Sequence, residues 1–324
     1  MLRNMSYSPT FSWSGRNDGD GPEHARWFTT ISPLPFNPLN EQSATSRPSL
    51  PTTSVTIVGF ASDEGVRRNH GRVGAHEGPA KALTALGSLT VHHSIPTFDG
   101  GIISVDGEDL EGGHQALTQA VSSVTGAGST CIVVGGGHET AYGTHMGLVR
   151  SVGEVRIGII NFDAHFDLRT ADRPTSGTPF KQIAEAVDDF RYTVVGISRP
   201  NNTRVLFDEA ERLGVTVVTD DELRRQSVED IIAMAARDVD ILHVSIDLDV
   251  LPAAVAPGVS APAAVGVPLN TIRDGLAACI RTNKVKLIDI VELNPTYDVD
   301  DRTAKVAARL VSDATSLIEE TTQA

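Results

Sequence analysis

Side chains that can bind metal ions stand at alternate positions of one short segment, residues 161–169. They are Asp163, His165 and Asp167. Side chains two residues apart in an extended segment point to the same face. We therefore expect one imidazole and two carboxylates to converge at this point.

Two further segments offer the same kind of ligand. Asp247 and Asp249 alternate in the same way, and His138 follows the three glycines at 135–137. Each segment comes directly after an apolar run that is typical of a strand buried on both faces. The six side chains include four carboxylates, which would repel one another unless cations neutralised them. The sequence therefore predicts two divalent metal ions at these strand ends.

The donor set indicates which metal and which reaction to expect. Oxygen ligands with a minority of imidazole favour harder ions such as Mn²⁺ over a thiolate-type zinc site. Two ions that share carboxylates stand about 3.5–4 Å apart and lower the pKa of a bound water toward about 7. The resulting hydroxide attacks an electrophilic carbon, so the predicted reaction is metal-assisted hydrolysis. Any one of these motifs alone also suits a capping or loop residue, and the prediction rests on their combination.

Length and composition favour a globular enzyme. The chain has 324 residues, of which 40% are hydrophobic and 21% charged, enough to bury a large core. The net charge of −14 argues against nucleic acid as a partner, because phosphate binding needs clustered Lys and Arg. No apolar run approaches the roughly 20 residues of a membrane-spanning helix, and residues 1–10 lack the apolar stretch of a signal peptide. Cys131 and Cys279 both lie in apolar segments, so we expect reduced thiols, a cytoplasmic location and no membrane partner.

The chain divides into a leader and one long regular region. Residues 1–52 are rich in Ser, Thr, Pro and Asn, and we expect them to be irregular and partly disordered. Beyond them, β-branched runs alternate with helical patterns, which predicts a parallel sheet with helices on both faces. In such sheets ligands bind beyond the carboxyl ends of the strands, where all three metal-binding segments lie. The predicted strands are 55–60, 131–134, 155–162, 193–197, 215–218, 241–246 and 285–291, with a weaker candidate at 91–96.

These motifs resemble those of a known enzyme family. Gly136-Gly-His-Glu139, Asp163-Ala-His-Phe-Asp167, Ser245-Ile-Asp-Leu-Asp249 and Glu292-Leu-Asn-Pro295 are similar to motifs of the ureohydrolase family, which includes arginase and agmatinase. The likeness spans residues 54–317. It implies an α/β fold, a three-layer α/β/α sandwich with a mainly parallel, about eight-stranded sheet, as one arginase-like catalytic domain over residues 53–324. It also implies two Mn²⁺ per subunit and a homo-oligomer.

The resemblance further implies a role for each site residue. The ligands of one ion would be His138, Asp163, Asp167 and Asp247, and those of the other would be Asp163, His165, Asp247 and Asp249. Asp167 would also pass a proton to the leaving nitrogen. Glu292 would face the amidine-type cation of the substrate.

One departure from the family pattern narrows the choice of branch. Ser176 stands where the arginase and agmatinase branches have a histidine, and serine cannot shuttle protons near pH 7 as histidine does. The stretches 69–74, 167–169, 176–180 and 249–262 instead resemble the formimidoylglutamase branch. That branch hydrolyses N-formimidoyl-L-glutamate to L-glutamate and formamide in histidine breakdown. The resemblance therefore implies this small molecule as the substrate.

The two carboxylates of that substrate need fixed cations, and arginine suits bidentate carboxylate binding. From position along the chain, we rank Arg169 first, Arg72 second and Arg199 third as candidates to bind these carboxylates. Ser176 and Glu292 complete the predicted substrate-binding set.

Three alternatives remain open at this point. Another ureohydrolase, acting on a guanidino acid or on agmatine, would release urea instead of formamide. A zinc deacetylase of the related fold needs one metal and would leave Asp167 and Asp249 without a role. A catalytically inactive scaffold would be expected to have lost ligands, whereas the sequence keeps all six.

Overall fold

The central feature of the fold is a ten-stranded sheet. It is seen in a computed structural model that describes residues 5–40, 49–51 and 53–323. The strands are β1 (Met5–Ser8), β2 (Ser32–Pro33), β3 (Val55–Ala61), β4 (Thr97–Val105), β5 (Thr130–Gly135), β6 (Ile157–Phe162), β7 (Arg191–Ile197), β8 (Thr216–Thr219), β9 (Ile241–Asp247) and β10 (Val285–Val291). Their order across the sheet is β1-β4-β3-β5-β10-β9-β6-β7-β8, with β2 beside β4. The eight strands β3 to β10 run parallel to one another.

Helices cover both faces of this sheet. They are α1 (Trp27–Thr30), α2 (Glu64–Arg68), α3 (Gly78–Gly87), α4 (Leu110–Gly126), α5 (Thr140–Val152), α6 (Pro179–Ala186), α7 (Arg204–Arg212), α8 (Val228–Ala235), α9 (Leu269–Arg281) and α10 (Arg302–Gln323). Helices α3, α8, α9 and α10 pack on one face, and α4 to α7 pack on the other. Alternate residues of one strand enter the two cores: Ile132 of β5 faces the first, and Val133 faces the second. The predicted three-layer α/β/α fold is confirmed.

The order of the strands explains how distant segments meet. β9 and β10 come late in the chain, yet they lie between β5 and β6. In the parallel register Val291 pairs with Asp247, and Ile246 pairs with Phe162. The carboxyl ends of four neighbouring strands therefore lie side by side at the centre of one sheet edge.

One predicted strand is wrong. The weaker candidate at 91–96 is not a strand, and β4 begins only at Thr97. The sequence of β4 contains Gly100 and Gly101, and glycines are typical of turns. The irregularity is real, because Gly101 has a φ of 78° and the register with β3 shifts there.

Part of the leader is built into the fold. β1 pairs antiparallel with β4, and the Trp27 side chain is fully buried. The buried Asp99 carboxylate on β4 accepts hydrogen bonds from the Phe11 backbone N–H at 2.7 Å and from the Trp13 indole N–H at 2.8 Å. The leader is therefore less irregular than its composition predicts, because β4 supplies a buried acceptor and a free edge. Residues 1–4, 41–48 and 52, on which the rest of that expectation falls, lie outside the described residues.

The described part of the chain contains no helix with the length and apolar character needed to cross a membrane.

Candidate metal centre

Neighbouring strand ends position the six predicted ligands. Asp163 directly follows β6, Asp247 is the last residue of β9, and Asp249 lies in the single helical turn after it. His138 follows β5 through the glycine turn. A Cβ at Gly136 would lie 1.8 Å from the Ser62 carbonyl oxygen, so the chain turns there only because that residue is glycine.

The first group of ligands surrounds one nitrogen of His138. Its Nδ1 lies 3.1 Å from Asp163 Oδ2, 3.0 Å from Asp167 Oδ2 and 3.1 Å from Asp247 Oδ2. The His138, Asp163 and Asp247 side chains are almost completely buried, whereas Asp167 is 13% exposed. This group therefore opens toward solvent on the Asp167 side.

The second group contains Asp163, His165 and Asp249. His165 Nδ1 lies 3.1 Å from Asp249 Oδ2 and 3.6 Å from Asp163 Oδ1. Asp163 thus uses its two carboxylate oxygens toward two different histidines. One oxygen of Asp247 lies with the first group, and its Oδ1 accepts a hydrogen bond from the Asp249 N–H at 2.7 Å. By these distances Asp247 belongs with the first group more than with the second.

The alternation of ligands has a local cause. Asp163 Oδ1 accepts from the His165 N–H at 2.6 Å, and Asp247 does the same for Asp249. An aspartate that bonds the backbone two residues further on forms a tight turn and fixes its own side chain. The Asp-x-His and Asp-x-Asp spacings therefore lock the carboxylates as well as placing them on one side.

The described residues fit a pair of divalent cations. His138 Nδ1 has three carboxylate oxygens around it, yet it makes no hydrogen bond with any described residue, and Asp249 Oδ1 has no partner there either. Buried polar atoms without partners are rare in folded proteins. Burial, together with the charges of Asp249 and Asp163, raises the pKa of the Asp247 carboxyl well above its usual range. Both features mark a place where positive charge is needed.

Backbone strain is found at the two residues predicted to act on the substrate. Asp167 has a φ of 50° and Glu292 a φ of 70°, in the left-handed region that side chains rarely adopt. Such strain persists only where the surroundings impose it, and it concentrates at functional sites. The Glu292 backbone N–H is held by the Gly136 carbonyl at 2.7 Å.

The Glu292 carboxylate lies beside the first group. Its Oε1 accepts a hydrogen bond from the His138 backbone N–H at 2.8 Å, and its Oε2 has no partner among the described residues. Burial, then the charges of Glu139 and Asp249, raise the pKa of Glu292 to about 8. A cationic ligand would satisfy the second oxygen.

The predicted substrate-binding residues on the loop after Asp167 lie together. The Arg169 backbone N–H bonds to the Gly177 carbonyl at 2.9 Å, and the Ser176 hydroxyl accepts from Asn69 Nδ2 at 3.1 Å. Arg169 is exposed. Within the described ranges its guanidinium has no acidic group within 4.0 Å and no hydrogen-bond acceptor.

The other two predicted arginines are placed differently. The Arg72 guanidinium donates to the carbonyls of Ser260, at 2.9 Å, and Val259, and it lies 3.9 Å from the centre of the Tyr297 ring. Arg199 is exposed and lies 5.4 Å from the centre of the Phe207 ring. In the part of the chain that the structure describes, neither makes an ion pair or hydrogen bond with the six clustered ligands.

Sequence reasoning missed the polar residues behind the ligands. Asn161 Nδ2 donates to Asp163 Oδ2 at 3.0 Å, and His138 Nε2 lies 3.0 Å from the Ser245 hydroxyl, which in turn donates to Asp289. Asn161, Ser245 and Asp289 are fully buried and lie in β6, β9 and β10. A polar residue within an otherwise apolar strand was the signal that could have found them.

Comparison with known proteins places this geometry in a family. The model of the arginase family matches residues 53–316. The chain belongs to the arginase family. The predicted family is thus confirmed, and the fold of this arginase-family chain agrees with it.

Three relatives give the resemblance more detail. A formimidoylglutamase of Corynebacterium efficiens is 46% identical, with 93% of each chain covered. A formimidoylglutamase of Nocardia farcinica is also 46% identical, over 94% of this chain and 95% of its own. The crystal structure of Trypanosoma cruzi formiminoglutamase with Mn²⁺ matches this arginase-family chain with a TM-score of 0.75 at 27% identity, over 81% of this chain and 92% of that one.

Replacing Asp247 tests the metal centre directly. Asp247→Ala removes a carboxylate that faces His138 Nδ1. Losing a residue that only hydrogen-bonds to a metal ligand typically lowers metal affinity about 10–100-fold. We expect Asp247→Ala to lower Mn²⁺ affinity by more than that. Metal content after dialysis, measured by atomic absorption, is the readout. Asp240→Ala, which removes an aspartate paired with Arg156 at the surface, should change nothing. Full metal retention by Asp247→Ala would contradict the assignment.

Proposed function

We propose that this chain is a hydrolase that converts N-formimidoyl-L-glutamate and water into L-glutamate and formamide. The observation that carries the proposal is a complete six-ligand cluster in a chain 46% identical, over nearly its full length, to formimidoylglutamases. Ser176 supports the same choice, since it occupies the position of the histidine of the urea-releasing branches. The alternative of a urea-releasing activity has no comparable support.

The proposed cofactor is two Mn²⁺ per subunit. His138, Asp163, Asp167 and Asp247 would hold one ion, and Asp163, His165 and Asp249 would hold the other. Asp247, whose nearer partners lie in the first group, is proposed as a ligand of the second ion as well. Ions so bound supply a water molecule of lowered pKa as the nucleophile near neutral pH.

Glu292 is proposed to bind the reactive group of the substrate. A formimidoyl group is a planar, cationic amidine, and a carboxylate forms strong charge-assisted hydrogen bonds with such a group. The unpartnered Oε2 of Glu292 is buried beside the first ligand group and lacks such a donor among the described residues. An amidinium placed there would balance its charge.

Asp167 is proposed to carry the proton that the reaction must move. When water adds to the amidine carbon, the bond to the glutamate nitrogen breaks and that nitrogen needs a proton to leave. Asp167 stands on the open side of the first group, with 13% of its side chain exposed. Its carboxylate can take the proton of the attacking water and pass it to the leaving nitrogen.

Arg169 is proposed to bind a carboxylate of the substrate. Two arginines near it are already neutralised: Arg68 by Glu64 at 2.7 Å and by Glu111 at 3.0 Å, and Arg173 by Glu111 at 3.2 Å. Arg169 has no such acidic partner among the described residues. It is therefore the arginine of this group whose charge is available to a ligand.

The aliphatic part of the Arg169 side chain lies against Gly177. Its Cδ lies over Gly177, where an added Cβ would come within 2.8 Å of it. Arg68 donates to the carbonyl of Pro174, which lies in the loop between Arg169 and Gly177, at 3.1 Å. Arg72 and Arg199 are proposed as further contacts to the carboxylates, with Ser176 beside Arg169, but the guanidinium of Arg72 is already engaged by two carbonyls.

We further propose a role in histidine degradation, a cytoplasmic location and a homo-oligomer without nucleic-acid or membrane partners. The first follows from the substrate. Two buried free thiols, Cys131 and Cys279, suit a reducing compartment. The net charge of −14 disfavours nucleic acid.

The product identifies the reaction. Purified protein loaded with Mn²⁺ should release formamide from N-formimidoyl-L-glutamate, and it should release no urea from arginine, agmatine or guanidinobutyrate. The four substrates are compared side by side at equal concentration, with formamide and urea measured in each. Urea release at a higher kcat/KM than formamide release would overturn the proposed substrate.

The role of Arg169 is separable from that of its neighbour. Arg169→Ala should raise KM for formimidoylglutamate by about tenfold or more, the usual cost of a lost hydrogen bond to a charged group. Arg173→Ala is the matched control, because that arginine is paired with Glu111, and its KM should stay near the wild-type value. Equal KM values for the two variants would remove Arg169 from the substrate pocket.

The role of Glu292 is tested by the isosteric amide. Glu292→Gln keeps the acceptor for the His138 N–H but loses the charge that faces the amidinium. We expect kcat/KM to fall about 10–100-fold while metal content stays at two equivalents. Loss of metal from this variant would mean that Glu292 supports the ion site instead of the substrate.

A further inference from the structure

A chain of buried polar side chains leads from His138 into the interior of the sheet. His138 Nε2 lies 3.0 Å from the Ser245 hydroxyl on β9, and that hydroxyl donates to Asp289 Oδ1 on β10. Ser245 and Asp289 are both fully buried. Neither has a part in the chemistry proposed above.

Asp289 is held as a buried anion with all its partners in place. Its Oδ2 accepts from the Thr144 hydroxyl at 2.7 Å and lies 2.6 Å from His243 Nε2. Burial opposes its charge, but His243 and the other partners bring the pKa of Asp289 below its usual value. A fully buried carboxylate is costly unless its surroundings need it.

The hydrogens of this chain can be assigned from the donors and acceptors alone. An ionised carboxylate only accepts, so the single hydroxyl hydrogen of Ser245 points to Asp289. The Ser245 oxygen can then only accept from its other neighbour. His138 Nε2 must therefore carry a hydrogen, so Nδ1, which lies among the three carboxylates, is the ring nitrogen that would bind an ion.

We propose that Asp289, acting through Ser245, is a positioning residue that fixes the tautomer and orientation of His138 and so sets the affinity of one of the two ion sites. The inference rests on the two-metal centre proposed above. Partners behind a metal ligand commonly orient it and change metal affinity about 10–100-fold when removed.

The effect is confined to one site by the geometry. His165, the histidine of the second group, faces Asp163 and Asp249 and makes no contact with Ser245 or Asp289 in the described chain. Disrupting the relay should therefore weaken the ion held by His138 and spare the other ion. A purely structural role for Asp289 would not separate the two.

Two buried serines allow a matched test. Ser245→Ala removes the link to His138, whereas Ser129→Ala removes an equally buried hydroxyl that lies 2.9 Å from Thr56 Oγ1, away from the cluster. Metal-free full-length protein is titrated with Mn²⁺, and free Mn²⁺ is followed by electron paramagnetic resonance. We expect two tight ions in the wild type and in Ser129→Ala. In Ser245→Ala one ion should bind about 10–100-fold more weakly.

A second variant guards against a folding defect in the first. Asp289→Asn keeps the shape of the side chain and removes its charge, and it should weaken the same ion. At saturating Mn²⁺ the KM of both variants should stay near the wild-type value, because the relay does not touch the substrate. The proposal is overturned if both variants keep two wild-type affinities or if Ser129→Ala loses the same ion. Fewer than two ions on the wild-type protein would instead overturn the two-metal centre itself.

Discussion

The mutual repulsion of four carboxylates buried beside one another is the constraint on which the site depends. Asp163, Asp167, Asp247 and Asp249 all lie within the two ligand groups. Their negative charge is costly in a water-poor site, and the raised pKa of Asp247 reflects that cost. Cations bound between these carboxylates would offset that cost, and this is the physical reason for proposing a metal centre here. The unpartnered Nδ1 of His138, the strained backbone of Asp167 and the tight Asp-x-His turn all make sense as parts of a receptacle for positive charge.

The ligands could be found from the sequence because local rules fix them. The two-residue spacing brings Asp247 and Asp249 together through the tight turn in which Asp247 accepts from the Asp249 N–H, and the ends of parallel strands meet at one edge of the sheet. The relay behind His138 could be found only in part, since a polar residue in the apolar run of β10 marks Asp289 but nothing local identifies Ser245 as its partner. β4 was missed for the opposite reason, because Gly100 and Gly101 gave a true strand the composition of a turn.

Sequence position ranks Arg169 first among the predicted arginines, but only the folded chain shows which charges are already balanced. Arg68 and Arg173 both form ion pairs with Glu111, which lies far from them along the chain. Arg169 is left without an acidic partner in the described residues. Which cation is available to a ligand is thus a property of long-range contacts, and no motif records it.

The place of β9 and β10 in the middle of the sheet has a consequence for how the protein is made. During synthesis β5 and β6 emerge long before the two strands that separate them, so the sheet cannot close until the last third of the chain has left the ribosome. Pairing over such long sequence separation is slow, and open strand edges invite association with other chains in the interval. The arrangement that gathers the ligands therefore leaves the edges of β5 and β6 unpaired on the nascent polypeptide until its C-terminal third arrives.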